Sequence, residues 1–155
     1  MLRALLPSSG LDRAGGYPPI RAVWRRYRVD ARHLAALLDL TGLRGDENLP
    51  MLAPHVFGFP LQMVILTHRA FPLPIWRALQ IRNHLLQHRA IPRDAELDLE
   101  TRLARLRVLD KGAEVDLHTE VRSGDHLVWE SLNTFYYRGR FGEADEPERE
   151  VARLE

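Results

Sequence analysis

The run from Phe57 to Phe71 places apolar side chains on every side of a helix. Leu61, Val64, Ile65 and Phe71 form one stripe, and Met63 and Leu66 make the opposite face apolar as well. A helix of this kind has no solvent face and has to be buried. Pro60 suits a first-turn position and Pro72 and Pro74 forbid continuation, so the spacing predicts a helix from Pro60 to about Phe71. At roughly 12 residues it would be roughly 18 Å long, too short to span a bilayer. It is therefore expected to be a core helix wholly enclosed by the rest of the chain.

The second half of the chain supplies the wrapping. Leu97, Leu99, Thr101 and Leu103 alternate with Asp98, Glu100 and Arg102, and Val115, Leu117, Thr119 and Val121 alternate with Asp116, His118 and Glu120. Strands are predicted over 78–91, 97–109, 115–121 and 127–137. Asp110-Lys111-Gly112 suits a hairpin with the glycine left-handed, and Ser123-Gly124-Asp125 closes the next. The apolar parity changes between Leu103 and Leu106, which predicts a bulge near Ala104-Arg105. Upstream, a strand is expected over Ile20–Val29. It leads into a helix capped by Asp30, stapled by Val29 on Leu34 and ended by a left-handed Gly42. One apolar helix and a meander of antiparallel strands pack by curling the sheet round the helix, an α+β hot-dog arrangement. The first strand after the helix must join a sheet whose last three strands are hairpin neighbours. The boundaries expected are an irregular lead-in over 1–19, one hot-dog domain over 20–142 and a charged tail over 143–155.

Composition narrows the function classes. The 155 residues carry a net charge of +1, so no whole-domain field would draw in nucleic acid or a membrane surface. Lys111 is the one lysine among 21 arginines, and these read as scattered along the chain rather than gathered into a phosphate-binding stripe. There is no cysteine, which excludes disulfides, a thiolate nucleophile and thiolate zinc sites. No histidine pair has zinc-site spacing, and no Walker loop, dinucleotide fingerprint or nucleophile elbow occurs, so neither metal nor bound cofactor is expected. The apolar Met1–Pro7 segment is too short for a signal core, which points to a cytoplasmic protein.

Pro54-His55-Val56-Phe57-Gly58-Phe59-Pro60-Leu61, followed by Phe71-Pro72-Leu73-Pro74 and Ile81-Arg82-Asn83-His84, resembles the N-terminal hot-dog half of bacterial MaoC-like acyl dehydratases, the family that includes (R)-specific enoyl-CoA hydratases. The resemblance runs from about Val29 to Gly142. It implies an acyl thioester carried on coenzyme A or acyl carrier protein, and reversible addition of water to a 2-enoyl group. The family's signature, Asp-x-Asn-Pro-x-His, supplies the Asp and His that hold and deprotonate the water. Here the corresponding loop reads Asp46-Glu47-Asn48-Leu49-Pro50, and His55 lies nine positions from Asp46 instead of five.

Asp46 and His55 are thus the candidate acid/base pair, against a plainer reading as turn and loop residues. Gly58, placed just before the predicted helix, is the candidate for backbone donation to the thioester oxygen, or else a glycine for tight helix entry. Phe59, Asn83 and His84 complete the expected substrate-contacting set. The polar strand around Arg82–His88 either lines a tunnel or is a solvated edge. His68 reads as a helix-end histidine. Two functional readings follow: an active hydratase or dehydratase with a displaced dyad, and, favoured because the signature is altered, a non-catalytic acyl-binding half. The latter works as a homodimer or beside a second hot-dog domain or chain. A hot-dog thioesterase would need a carboxylate on the central helix, and none lies between Phe57 and Phe71.

Overall fold

Alternation in the second half of the chain yields one antiparallel sheet in the computed structural model, which describes residues 18–43, 46–145 and 154. The elements are β1 (Arg21–Tyr27), α1 (Ala31–Thr41), α2 (Ala53–Leu66), a 3-10 turn (Ile75–Arg77), β2 (Ala78–Gln87), β3 (Leu97–Leu109), β4 (Gly112–Ser123) and β5 (His126–Arg138). The sheet order is β1-β3-β4-β5-β2, so the strand after α2 joins at the far edge, beside β5. This is the hot-dog fold. Most of the expected lead-in and charged tail lies outside the described residues.

Local chemistry sets the ends of α1. Asp30 accepts the N–H groups of Arg32 and His33, and Gly42, at φ +66°, ends the helix in the left-handed region. The β3 bulge falls between Leu103 and Arg105, where the apolar parity changes. Gly124 is left-handed at φ +56°, as its hairpin requires. Gly112 is not: it pairs with Leu109 at the start of β4, and a side chain there would overlap the Tyr136 ring, whose hydroxyl donates to the Lys111 carbonyl at 2.8 Å. Its role is close approach, not a positive φ.

The expected central helix needs two corrections. It begins at Ala53, with Pro54 in the first turn, and ends at Leu66, so Pro60 lies inside it. A proline there removes the bond to the carbonyl four residues back, that of Val56. Pro60 and Val56 are both exposed, so that carbonyl lies on the solvent side. At the other end Thr67 folds its hydroxyl onto the Met63 carbonyl at 2.6 Å, and the chain turns before Phe71, which packs on Tyr137.

Nor is α2 wholly enclosed. Its face of Phe57, Gly58, Leu61, Gln62, Ile65 and Leu66 lies on β1, β3 and β4 and is buried. On the other side Val56 and Phe59 are exposed, and Val64 is 52% exposed. A single sheet covers one side of a helix, and among the described residues nothing covers the other.

Candidate functional site

The loop before α2 is held as a short piece of pairing. Asn48 bridges to Pro92, the Leu49 N–H donates to the Ile91 carbonyl at 2.8 Å, and the Arg93 N–H donates to Glu47 at 3.1 Å. The fully buried Trp129 donates its indole N–H to the Met51 carbonyl at 3.0 Å, which pins the N-terminal end of α2 to β5. No side chain caps that helix end.

Asp46 is exposed, and its carboxylate accepts the Asn48 N–H at 2.7 Å, an Asx turn. His55 stands in the first turn of α2, half-buried and edge-on to Phe59, with ring centroids 6.2 Å apart. Burial lowers its pKa, so the imidazole is neutral at pH 7. Its Nδ1 is buried without a hydrogen-bond partner, so Asp46 does not orient it there.

Gly58 lies in the second turn of α2, not ahead of it, because the helix starts at Ala53. Its Cα faces the sheet, where a Cβ would meet Thr119 Cγ2 at 3.6 Å and Leu99 Cδ2 at 3.8 Å. Phe59 is exposed on the uncovered side. Asn83 and His84 are consecutive on β2 and face opposite sides of the sheet. Asn83 pairs with the buried Asn133 on the side of α2, while His84 pairs with Leu132 and accepts the Leu154 N–H at 3.3 Å. His68 accepts the Ala70 N–H at 3.2 Å just after the helix.

Sequence reasoning missed a polar row on the inner face, buried except at its exposed end, Gln80. Thr101 and Thr119 share a hydroxyl bond of 2.9 Å, Gln80 donates to Asn133 at 2.9 Å, and Asn133 donates to Ser131 at 2.9 Å. Gln62, on the buried face of α2, has its carbonyl oxygen unpaired. The signal was available: Thr101 and Thr119 occupy apolar parity in β3 and β4. The hydroxyl and amide groups of the row bond one another beneath the helix, and none is an acid or base near pH 7.

A second cluster occupies the outer face. The two oxygens of the buried Glu130 meet His88 Nε2 at 2.9 Å and His118 Nε2 at 2.7 Å, and Arg102 donates to His118 Nδ1 at 3.0 Å. Burial raises the Glu130 pKa, but the hydrogen bonds and charges of the two histidines outweigh it, and the carboxyl titrates below its ordinary range. A depressed carboxyl contributes stability above its unfolded pKa and loses it as pH falls through the folded value. Glu130→Gln is therefore expected to cost about 1.5–3 kcal/mol at pH 7, with the difference from wild type shrinking in acid. Urea denaturation at pH 7 and pH 4 checks this.

No family model matches the chain. It is similar to 3-hydroxyacyl-thioester dehydratase X of Mycobacterium tuberculosis, 31% identical over 119 residues, which is 77% of this chain and 42% of that protein. The crystal structure of HtdX from Mycobacterium tuberculosis superposes with a TM-score of 0.72 at 28% identity, covering 77% of this chain and 51% of that one. The chain thus spans about half the length of these relatives. The MaoC-like dehydratase from Rhodospirillum rubrum (TM-score 0.58, 15% identity, 84% of this chain and 99% of that one) shares the fold. So does the HadBC 3R-hydroxyacyl-ACP dehydratase complex of Mycobacterium tuberculosis (TM-score 0.59, 12% identity, 75% of this chain and 95% of that one). Among the described residues no helix is long and apolar enough to cross a membrane, and no cluster of metal-ligating side chains occurs.

Proposed function

We propose that this chain, a hot-dog domain similar to 3-hydroxyacyl-thioester dehydratase X, belongs with the MaoC-like acyl dehydratases and is an acyl-thioester-binding half that works against a second hot-dog unit. The observation that carries the reading is the separation of the would-be dyad. Asp46 is committed to its own turn, and His55 Nδ1 has no partner. What remains is what binding needs: a buried polar row beneath Gly58 and an apolar helix to pack an acyl chain against. The length relation to the dehydratase relatives agrees, since a protein about twice as long has room for two such units.

The uncovered surfaces call for the partner. β2 is a ten-residue edge strand with Leu79 61% exposed and Ile81 also exposed. Together with Val56, Phe59 and Val64 on α2, these are groups that soluble monomers seldom leave open in patches. Either a second copy or a different hot-dog chain would satisfy them. The thioesterase alternative loses ground, because α2 carries no carboxylate along Ala53–Leu66.

The test is the chain by itself. Light scattering at micromolar concentration is expected to give a dimer, or a heterodimer once the partner chain is supplied. Calorimetry is expected to show acyl-pantetheine binding, the carrier-independent part of the substrate. A stable monomer that neither binds acyl-pantetheine nor pairs with another hot-dog chain would refute the proposal.

A further inference from the structure

Among the described residues, Arg26 alone adopts positive φ without being a glycine, at +52°. L side chains enter that region at a cost, so something must hold it there. The hold is Asp98, whose carboxylate accepts the Arg26 N–H at 2.8 Å and the Arg25 guanidinium at 3.0 Å. The strained residue forms a bulge in β1, so that Trp24 pairs with Leu99 and Tyr27 with Leu97, leaving two residues, Arg25 and Arg26, opposite one, Asp98. Without the extra residue Trp24 and Tyr27 would face opposite sides of the sheet. With it they share the inner side and stack, ring centroids 5.0 Å apart and planes 1° from parallel.

The stack leads from the interior to the edge. The Tyr27 ring centroid lies 6.4 Å from that of Phe57, the residue before Gly58, and Trp24 is 38% exposed on a strand with no outer neighbour among the described residues. The same strand and its exit carry Arg21, Arg25, Arg26 and Arg28, a local run within the apparent scatter of arginines; Arg21 and Arg25 reach Glu100 and Asp98 on the face opposite Trp24, so a ligand meets both the indole and these guanidinium groups by turning round the edge of β1. Three of them meet Glu100, Asp98 and Glu96 in exposed pairs, which are weak enough to yield to a phosphate, and among the described residues the Arg26 guanidinium has no salt bridge.

We propose that this edge is a nucleotide subsite, with the adenine of a coenzyme A thioester stacked on Trp24 and its phosphates on the β1 arginines. A flat indole face held by a costly bulge suits a flat ring, and guanidinium groups suit phosphates; an alkyl chain would use neither. The proposal rests on the acyl-thioester reading above and selects coenzyme A over acyl carrier protein, whose thioester has no adenine.

Calorimetric titration of the full chain with octanoyl-CoA, octanoyl-pantetheine and adenosine 3′,5′-bisphosphate separates the two readings. The CoA thioester is expected to bind about ten-fold tighter than the pantetheine thioester. Trp24→Leu removes that advantage and leaves pantetheine binding unchanged, whereas Trp24→Phe keeps most of it. Arg26→Gly suits the positive φ, so it holds or raises the melting temperature while reducing the advantage several-fold. Equal affinity for the two thioesters, or an advantage indifferent to Trp24→Leu, overturns the subsite and leaves acyl binding standing; the bulge then serves to blunt the strand edge. If Trp24→Leu alters only the oligomeric state, the edge belongs to a second copy and the proposal fails. Trp24-dependent binding of the bisphosphate with no binding of octanoyl-pantetheine keeps the subsite and removes the acyl reading.

Discussion

Ile65→Asp is expected to abolish the folded state, and Val64→Asp to leave it intact. The two residues are adjacent on α2, but Ile65 is fully buried against the sheet and Val64 is 52% exposed. An aspartate at 65 would sit among apolar side chains with no counter-charge, and burying an unpaired carboxylate in a core costs about 4–5 kcal/mol or more. That is comparable with the roughly 5–15 kcal/mol that holds a typical domain together. At 64 the charge stays in water and the melting temperature should stay within a few degrees of wild type. The expected loss there is association, because Val64 lies on the face that a partner would cover. Circular dichroism melts and light scattering on both variants check the pair. A folded Ile65→Asp variant would refute the helix-on-sheet packing. A Val64→Asp variant that unfolds with dissociation of an obligate dimer would show that the partner is needed for the fold as well as the function.

The strands were legible because a period of two is hard to mistake, and the bulge near Arg105 because it reverses parity within one strand. The ends of α2 were not. An apolar run without a polar face gives no phase from which to locate its start, and Pro54 and Pro60 both look like first-turn prolines. The same lack of phase hid the exposure of Val64, since an apolar residue in such a run reads the same whether it faces the sheet or solvent. In the candidate site, Asp46 was legible as a turn residue, but its distance from any base depends on the ladder between Asn48 and Pro92, which pairs residues far apart in sequence. Trp24 and Tyr27 were hidden for another reason. Three positions apart in a strand they belong on opposite faces, and only the left-handed Arg26 puts them together.

Purified alone, the chain is expected to hydrate 2-enoyl thioesters poorly or not at all while still binding them. Water addition needs a base within hydrogen-bond reach of the incoming oxygen, and a positioned base contributes on the order of 100- to 10,000-fold in rate. His55 is neutral at pH 7 and so has the right protonation state for a base. It lacks the carboxylate that would orient its ring, and Asp46 sits exposed in its Asx turn. Gly58, in the second turn of α2, has its N–H directed along the helix ladder toward the Pro54 carbonyl, so an oxyanion would have to compete for it. Binding does not need any of these, only burial and the hydroxyl and amide row below the helix. Loss of enoyl-thioester absorbance, followed with the chain alone and then with a second hot-dog chain carrying an intact Asp-x-Asn-Pro-x-His loop, separates the cases. Turnover that appears only in the mixture, and survives Asp46→Asn and His55→Ala in this chain, places the chemistry on the partner. Robust turnover by this chain alone, lost in each of those variants with thioester binding retained, would establish a displaced dyad formed when substrate draws Asp46 and His55 together.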